Sequence, residues 1–200
     1  MPTFIFFRHG EAEHNVAYRT QGESAYTDPK YAKAPLTAHG AEQVRAAAKA
    51  LKAVYPNFHS ITTSPLLRCI QTASILAEEL KPTNTRLNCT YNLIERQGGG
   101  HICNVHDDIR LLKLARPDIR YDWTMETPVE HLPPNRSKDR YLLPMETDAD
   151  VAARAKQVIS PWYWSTISNS TPVLLVTHHE VIRSMFGKSV KNAEYHVITQ

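Results

Sequence analysis

Two short runs of consecutive apolar residues, one near each end of the chain, predict buried strands. Thr3–Phe7 and Val173–Thr177 are rich in β-forming residues, and uninterrupted apolar runs of this length are typical of parallel strands covered on both faces. Ser60–Thr63 predicts a shorter strand. The alternating residues Tyr195–Thr199 predict a last strand at the edge of the sheet.

Helical patterns lie between these strands. Thr37–Tyr55 is rich in alanine and begins with a threonine suited to capping. A helix from Ser64 to Leu80 is predicted by a serine and a proline at its start. Helices are also predicted over Thr147–Ile159 and Glu180–Phe186, the latter ended by Gly187.

The alternation of strands and helices predicts the fold class. It is typical of an α/β protein, here a three-layer α/β/α sandwich with a mostly parallel central sheet. From about residue 98 to 145 the pattern decays into glycines and prolines, which predicts a loop-rich inserted flap with a short helix near Asp107–Ala115. The length of 200 residues indicates a single domain over 1–200.

Composition narrows the classes of function. A net charge of +3 without a dense basic stripe argues against nucleic-acid binding. The three cysteines show no disulfide pattern, and no leader or membrane-length apolar run is visible. We therefore expect a cytoplasmic protein that binds neither nucleic acid nor membrane. A homodimer paired through the edge strand at residues 195–199 is left open.

Basic and imidazole side chains follow several of the predicted strands. Arg8 and His9 follow Thr3–Phe7. Arg68 lies in the first turn of the helix predicted after Ser60–Thr63. His178 and His179 follow Val173–Thr177. Parallel strands end at one edge of a sheet, where ligands bind in open α/β folds. Two arginines there would clamp a tetrahedral dianion, so this pattern predicts a phosphate site.

A histidine in such a site can act as the nucleophile toward phosphorus. His9 would then form a phosphohistidine, and the arginines would stabilise the charge on the phosphoryl oxygens. A protonated acid is needed to release the alcohol. Glu95 is the candidate, with Glu78, Glu79 and Asp107 as alternatives.

A second group of metal-binding residue types lies in the predicted flap. His101, Cys103, His106 and Asp107 are close together in the sequence, but their spacing does not match the paired spacing of structural zinc sites. We expect neither a metal ion nor another cofactor.

Five stretches resemble, in order, the motifs of the histidine phosphatase superfamily, also called phosphoglycerate mutase-like. Phe7–Glu11 corresponds to the RHG signature, and Leu36–Gln43 to the LTxxGxxQ helix start. Ser64–Ala73 corresponds to the SPLxRxxQTA segment. Asn92–Arg96 corresponds to the stretch with the proton donor, and Val176–Arg183 to the VSHGGxIR segment. The joint order and spacing of these motifs are far more specific than any one of them.

The resemblance implies a role for each matching residue. His9 corresponds to the phosphate-accepting nucleophile, and Arg8, Arg68 and His178 correspond to the phosphate pocket. Glu95 corresponds to the acid that protonates the leaving group and later activates water.

Three further positions are candidates for contact with the substrate. Asn15 and Gln21 lie where phosphatases of this family often place polar side chains. His179 stands where many relatives have glycine, so it would narrow the pocket or add a polar contact.

The resemblance leaves three functions to be compared. The chain is short, and His14 stands where glycolytic mutases of this family carry tryptophan; both points favour a phosphomonoesterase that hydrolyses a phosphorylated small molecule through His9. A phosphoglycerate mutase or sugar-bisphosphate phosphatase is the first alternative. A non-catalytic module that binds phosphate or phosphoproteins is the second.

Overall fold

The computed structural model describes residues 2–83, 87–106, 116, 119–121, 143–160 and 171–199. In its amino-terminal part, strands and helices alternate in the order β1 (Thr3–Arg8), α1 (Glu13–Gln21), α2 (Ser24–Thr27), α3 (Ala38–Val54), β2 (Ser60–Thr63) and α4 (Leu67–Leu80). The rest of the described chain contains β3 (Asn88–Cys89), β4 (Arg120–Tyr121), α5 (Asp148–Lys156), β5 (Val173–Thr177), α6 (His179–Phe186) and β6 (Tyr195–Thr199). None of the described helices has the length and apolar character needed to cross a lipid bilayer.

The strands form one sheet in the order β4-β3-β2-β5-β1-β6. Every neighbouring pair is parallel except β1 and β6, which are antiparallel. In the register of the three strands β5, β1 and β6, Phe6 lies between Leu175 and His196. The predicted mostly parallel sheet is confirmed, and β6 is the edge strand that the alternating pattern predicted.

Helices cover both faces of the sheet because alternate strand residues are apolar on both sides. Ile5 and Phe7 pack in one core with buried residues of α3 and α4. Phe4 and Phe6 pack in a second core with Ile182 of α6. This arrangement confirms the three-layer sandwich. It also explains the uninterrupted apolar runs, since no face of β1 or β5 contacts water.

The predicted start of the second long helix is wrong. α4 begins at Leu67 with Leu66 at its N-cap, so the helix does not begin with Ser64 and Pro65. The hydroxyl of Ser64 hydrogen-bonds Nε2 of His178, 2.8 Å away, and accepts from the N–H of Leu66 at 3.4 Å. Because Leu66 is the N-cap, this contact lies ahead of the first turn of α4.

The other predicted helices are confirmed apart from their ends. Thr37 caps α3 by accepting a hydrogen bond from the N–H of Gly40 at 2.9 Å. Thr147 caps α5, and the predicted helix to Ile159 finishes as a 3₁₀ turn over Gln157–Ile159.

Four elements, α1, α2, β3 and β4, were not predicted from the sequence. α2 has four residues, too few to show a helical period. α1 buries His14 and Ala17 and has no apolar stripe, while β3 and β4 have two residues each, too few to produce a periodic pattern. β4 falls inside the predicted flap, so part of that segment extends the sheet. The helix predicted near Asp107–Ala115 lies outside the described residues, and the single domain over 1–200 stays a prediction.

Candidate active site

The ends of three adjacent strands form the floor of the candidate site. The N–H of His9 donates to the carbonyl of Thr177 at 3.0 Å, joining the end of β1 to that of β5. The N–H of Ser64 donates to the carbonyl of Val176 at 3.0 Å, joining β2 to β5. The side chains that follow these strands therefore meet at one edge, as the parallel order requires.

A cavity of about 530 Å³ opens at this edge, a volume typical of small-molecule sites. The predicted site residues that line it are Arg8, His9, Asn15, Arg68, Glu95 and His179. The other described residues that line it are His14, Tyr18, Arg19, Tyr26, Arg96, His101, Cys103, Asn104, Met145, Glu180 and Asn192. Gln21 is exposed at the end of α1 and is not among the lining residues.

The imidazole of His9 is held in one tautomer. Its Nδ1 lies 2.7 Å from the carbonyl oxygen of Gly10, and because a carbonyl can only accept, Nδ1 carries the proton. Nε2 then accepts from Nε–H of Arg68 at 3.3 Å. Burial, reinforced by the charges of Arg68 and Arg8, holds the pKa of His9 well below its usual range. The ring is therefore neutral, with Nε2 unprotonated and hydrogen-bonded to Arg68.

Arg68 is fully buried and is oriented by the segment that follows the predicted proton donor. Its Nη1 donates to the carbonyl of Cys103 and its Nη2 to Oδ1 of Asn104, each at 2.9 Å. The guanidinium has no carboxylate partner among the described residues. Its charge is therefore free to act on a bound anion.

Arg8 supplies a second cation to the same cavity. Its Nη1 donates to the carbonyl of Val190 at 2.7 Å, which fixes the side chain across the end of β1. Its Nε is buried without a hydrogen-bond partner among the described residues. An unpaired buried N–H is costly, so a ligand oxygen at this position would relieve that cost.

His178 lies beneath the cavity, with its ring centroid 5.2 Å from that of His9. Burial lowers its pKa well below the usual range, and Arg68 and His9 add to this effect. Nδ1 of His178 lies 3.9 Å from Oε2 of Glu95. His9, Arg68 and His178, which follow different strands, therefore lie in contact with one another or nearly so.

Glu95 is a mostly buried carboxyl group that lines the same cavity. Burial raises its pKa, and the charge of Arg68 and the N–H of Arg96, which donates to Oε1 at 2.9 Å, oppose this rise. Arg154 fixes the surrounding backbone by donating to the carbonyls of Ile94 at 2.7 Å and Glu95 at 3.3 Å. The raised pKa favours the protonated form of Glu95 relative to an exposed glutamate.

The alternative acids are differently placed. Glu78 and Glu79 lie on α4 and do not line the cavity. Asp107 lies outside the described residues. Among the described residues, Glu180 is the other carboxylate in the lining.

Glu180 differs from Glu95 in its environment. Its Oε1 hydrogen-bonds Nδ1 of His179 at 2.9 Å, and Oε2 pairs with Arg183 at 2.8 Å and with Arg96 at 3.1 Å. The contact with His179, followed by that with Arg183, lowers the pKa of Glu180 to about 2. Glu180 is therefore charged at any ordinary pH, whereas the pKa of Glu95 is shifted in the opposite direction.

Two of the lining residues that were not among the predicted site residues, Asn192 and His14, lie close to His9. The carboxamide nitrogen of Asn192 lies 3.2 Å from the carbonyl oxygen of His9, 3.4 Å from that of Gly10 and 3.3 Å from Oδ1 of Asn15. It thus ties the turn that carries His9 to α1. Asn192 follows no strand and belongs to no recognised motif, so no signal in the sequence could have identified it.

His14 is the second of these residues, and its place just after the RHG signature was a usable signal. The ring is nearly fully buried, and burial, with Arg68 and Arg8, lowers its pKa to about 2. Nε2 lies 3.1 Å from Nδ2 of Asn15, whereas Nδ1 has no partner among the described residues.

Two of the residues considered as metal ligands in the sequence have other contacts in the structure. His101 lines the cavity, and the carbonyl of Cys103 binds Arg68. In the part of the chain that the structure describes, no group of three or more His, Cys, Asp or Glu residues is arranged to hold a metal ion.

The comparison with protein families agrees with this geometry. The model of the histidine phosphatase superfamily (branch 1) matches residues 4–194. The chain belongs to this superfamily. The resemblance drawn from the motifs is therefore confirmed, and with it the expectation that the protein is an enzyme of the histidine phosphatase family.

Solved structures share the fold at low sequence identity. A mycobacterial glucosyl-3-phosphoglycerate phosphatase, in complex with VO3, is 20% identical with a TM-score of 0.59, and the alignment covers 100% of this chain and 91% of that one. An ecdysone phosphate phosphatase from Bombyx mori, in complex with tungstate, is 14% identical with a TM-score of 0.65, covering 100% and 90%.

One curated relative matches part of the chain. It is an uncharacterised protein from Picosynechococcus, 40% identical over 78 residues, which are 38% of this chain and 41% of the relative. The matched stretch thus spans less than half of that relative.

Proposed function

We propose that this histidine phosphatase hydrolyses phosphate monoesters of small molecules through a phosphohistidine on Nε2 of His9. The observation that carries the proposal is the hydrogen bond of 2.7 Å from Nδ1–H to the carbonyl of Gly10, which leaves Nε2 as the unprotonated nitrogen. Its lone pair accepts a long hydrogen bond from Arg68 at 3.3 Å, which must be given up when Nε2 attacks phosphorus. A neutral, oriented imidazole beside a guanidinium is what nucleophilic attack on a phosphoryl dianion requires.

In the first step, Nε2 of His9 attacks phosphorus while the bond to the leaving-group oxygen breaks. The carboxyl proton of Glu95 passes to that oxygen, so the alcohol leaves neutral. Arg8 and Arg68, which form no ion pair with a described carboxylate, balance the charge on the phosphoryl oxygens.

In the second step, water attacks the phosphohistidine. The carboxylate of Glu95 accepts the proton of that water, the bond between phosphorus and Nε2 breaks, and its electron pair returns to His9. Inorganic phosphate is released, and both groups return to their starting states. Asn15 and His179, which line the cavity, are proposed substrate contacts; Gln21 has no described contact with the cavity, and its role remains a prediction.

The proposal is tested with His9→Ala, assayed on p-nitrophenyl phosphate in the presence of a chelator. The wild-type protein should release phosphate, and loss of the nucleophile should lower kcat/KM by about a thousandfold or more. The exposed His39 provides the matched control, since His39→Ala removes an imidazole outside the cavity.

A base-stable, acid-labile phosphoryl group should also be trapped on the wild-type protein and not on the His9→Ala variant. Hydrolysis retained by His9→Ala would overturn the mechanism. Phosphate binding without turnover or trapped phosphohistidine would favour the non-catalytic module instead. A coupled mutase assay with a bisphosphoglycerate primer separates the mutase alternative, which requires isomerisation.

A further inference from the structure

Part of the cavity lining is aromatic. The rings of Tyr18 and Tyr26 are stacked, with centroids 5.0 Å apart and an interplanar angle of 10°. Tyr26 is also 5.1 Å from His101 and 6.2 Å from His14, in tilted arrangements. All four residues line the cavity, and we call them the aromatic wall.

The aromatic wall carries no net charge. Burial raises the pKa of Tyr26 to about 12 and lowers that of His14 to about 2, so both rings are neutral at ordinary pH. Burial also lowers the pKa of His101. The wall therefore presents uncharged ring surface to whatever occupies the cavity beyond the phosphate.

The remaining cations of the described lining are neutralised. Arg19 pairs with Glu11 at 2.7 Å. Arg96 pairs with Glu180 at 3.1 Å and with Asp148. Among the described residues, Arg8 and Arg68 are thus the lining cations without a carboxylate partner, which suits one phosphate group. A second phosphate or a carboxylate on the substrate would find no further arginine without a carboxylate partner among the described lining residues.

We propose that the substrate is a monoester whose single phosphate is attached to an uncharged, planar aromatic group that contacts the aromatic wall. The inference rests on the proposed function, since it takes the phosphate to lie between His9 and the two arginines. The cavity of about 530 Å³ leaves room for a ring beyond that phosphate. Contact between aromatic rings adds binding energy beyond the burial of area.

Non-hydrolysable phosphonates test this inference without interference from leaving-group reactivity. The Kd values of benzylphosphonate, methylphosphonate and phosphonoacetate would be measured by calorimetry on the wild-type protein. Benzylphosphonate should bind about tenfold more tightly than methylphosphonate. Phosphonoacetate, which adds a carboxylate in place of the ring, should bind no more tightly than methylphosphonate.

Variants of Tyr26 then locate the effect. Tyr26→Leu should reduce the affinity for benzylphosphonate to about that for methylphosphonate, while the latter changes less than about twofold. Tyr26→Phe, which keeps the ring, should retain the preference. Tyr55→Leu is the matched control, because Tyr55 packs against the α3 and α4 core, away from the cavity.

Several outcomes would overturn the inference. These are equal binding of benzylphosphonate and methylphosphonate, tighter binding of phosphonoacetate, or an equal loss for both probes in Tyr26→Leu, which would indicate a structural role for this ring. Failure of the proposed function is distinguishable. If the protein binds benzylphosphonate through Tyr26 but forms no phosphohistidine, the inference about the substrate stands and the proposed mechanism fails.

Discussion

At the scale of single residues, the site combines hydrogen-bonded polar groups with a few buried polar atoms that lack partners. Nε of Arg8 and Nδ1 of His14 are both buried with no hydrogen-bond partner among the described residues. Leaving such groups unpaired costs about 1–3 kcal/mol each. The adjacent guanidiniums also favour the neutral form of His9. A bound phosphate would satisfy several of these groups at once, which explains why they are tolerated.

Glu95→Gln tests the proton donor through its dependence on the leaving group. A glutamine cannot protonate the departing oxygen, so kcat should fall by about a hundredfold or more for an alkyl phosphate. The loss should be much smaller for p-nitrophenyl phosphate, whose leaving group departs without a proton. Steady-state kinetics on the two substrates measure the difference.

Glu180→Gln is the matched control, because the two carboxylates line the same cavity. Since the pKa of Glu180 is about 2, this group holds no proton to donate, and any loss should be the same for both substrates. Equal losses in Glu95→Gln would contradict the assignment of Glu95 as the acid.

The pH profile provides a second measurement on the same residue. The pKa of Glu95 is raised by burial, so the protonated acid and the activity should be lost as the pH rises through that pKa. The pKa of His9 is lowered by burial and by Arg68 and Arg8, so the nucleophile stays neutral well into the acid range. Glu95→Gln should remove the decline on the alkaline side.

At the scale of elements, the start of α3 is packed backbone to backbone against the turn that follows β1. The N–H of Thr37 donates to the carbonyl of Glu11 at 2.9 Å. A Cβ added to Gly40 would lie 2.0 Å from that carbonyl oxygen, and one added to Gly10 would lie 2.5 Å from the carbonyl oxygen of Gly40. Glycine at both positions therefore allows the turn that carries His9 to rest on the helix.

Gly40→Ala should consequently destabilise the protein and disturb the site. The extra methyl group must displace backbone, and overpacking of this kind costs about 1–3 kcal/mol. Because the displaced turn follows His9 directly, kcat should fall together with the midpoint of urea unfolding.

Gly187→Ala separates the clash from the general effect of replacing glycine. Gly187 has φ of +65° at the end of α6, and no atom lies within 4 Å of an added Cβ there. That variant should lose about 1–2 kcal/mol from the left-handed backbone alone and should keep its activity. Full activity in Gly40→Ala would show that the contact does not position the turn.

At the scale of the whole molecule, neutral buried histidines should make folding stability sensitive to acid. Burial lowers the pKa values of His9, His14 and His178 in the folded state, so below about pH 6.5 the unfolded chain binds more protons. Stability present at neutral pH should therefore be lost as the pH falls. Glu95, whose pKa is raised by burial, opposes this loss.

The contribution of one histidine is measured with His14→Phe. Between about pH 6 and 5, the slope of the free energy of unfolding against pH should decrease by about 1.4 kcal/mol per pH unit. Urea unfolding at several pH values, in buffers free of phosphate, measures it. Substitution of the exposed His39 is the control, and an unchanged slope in His14→Phe would contradict the prediction.

The part of the fold that could be predicted is the part built from long patterns. β1 and β5 are buried on both faces and contain uninterrupted apolar runs, and α3 has alanines and a capping threonine. β3 has two residues and α1 buries a histidine, so neither produces a periodic apolar signal. The start of α4 was misjudged because Ser64 contacts His178 and the N–H of Leu66, and the helix itself begins only at Leu67.

Local patterns were enough to predict the long strands and helices in their order, and the reactive side chains that follow those strands, because such patterns record burial and backbone preference. The folded arrangement was needed to show which nitrogen of His9 is unprotonated, that Glu95 rather than Glu180 lacks an arginine partner, and that Asn192 supports the turn. Those properties depend on groups far apart in the chain, such as Asn192 and His9. Electrostatic environment and hydrogen-bond partners arise when the folded chain brings such groups together.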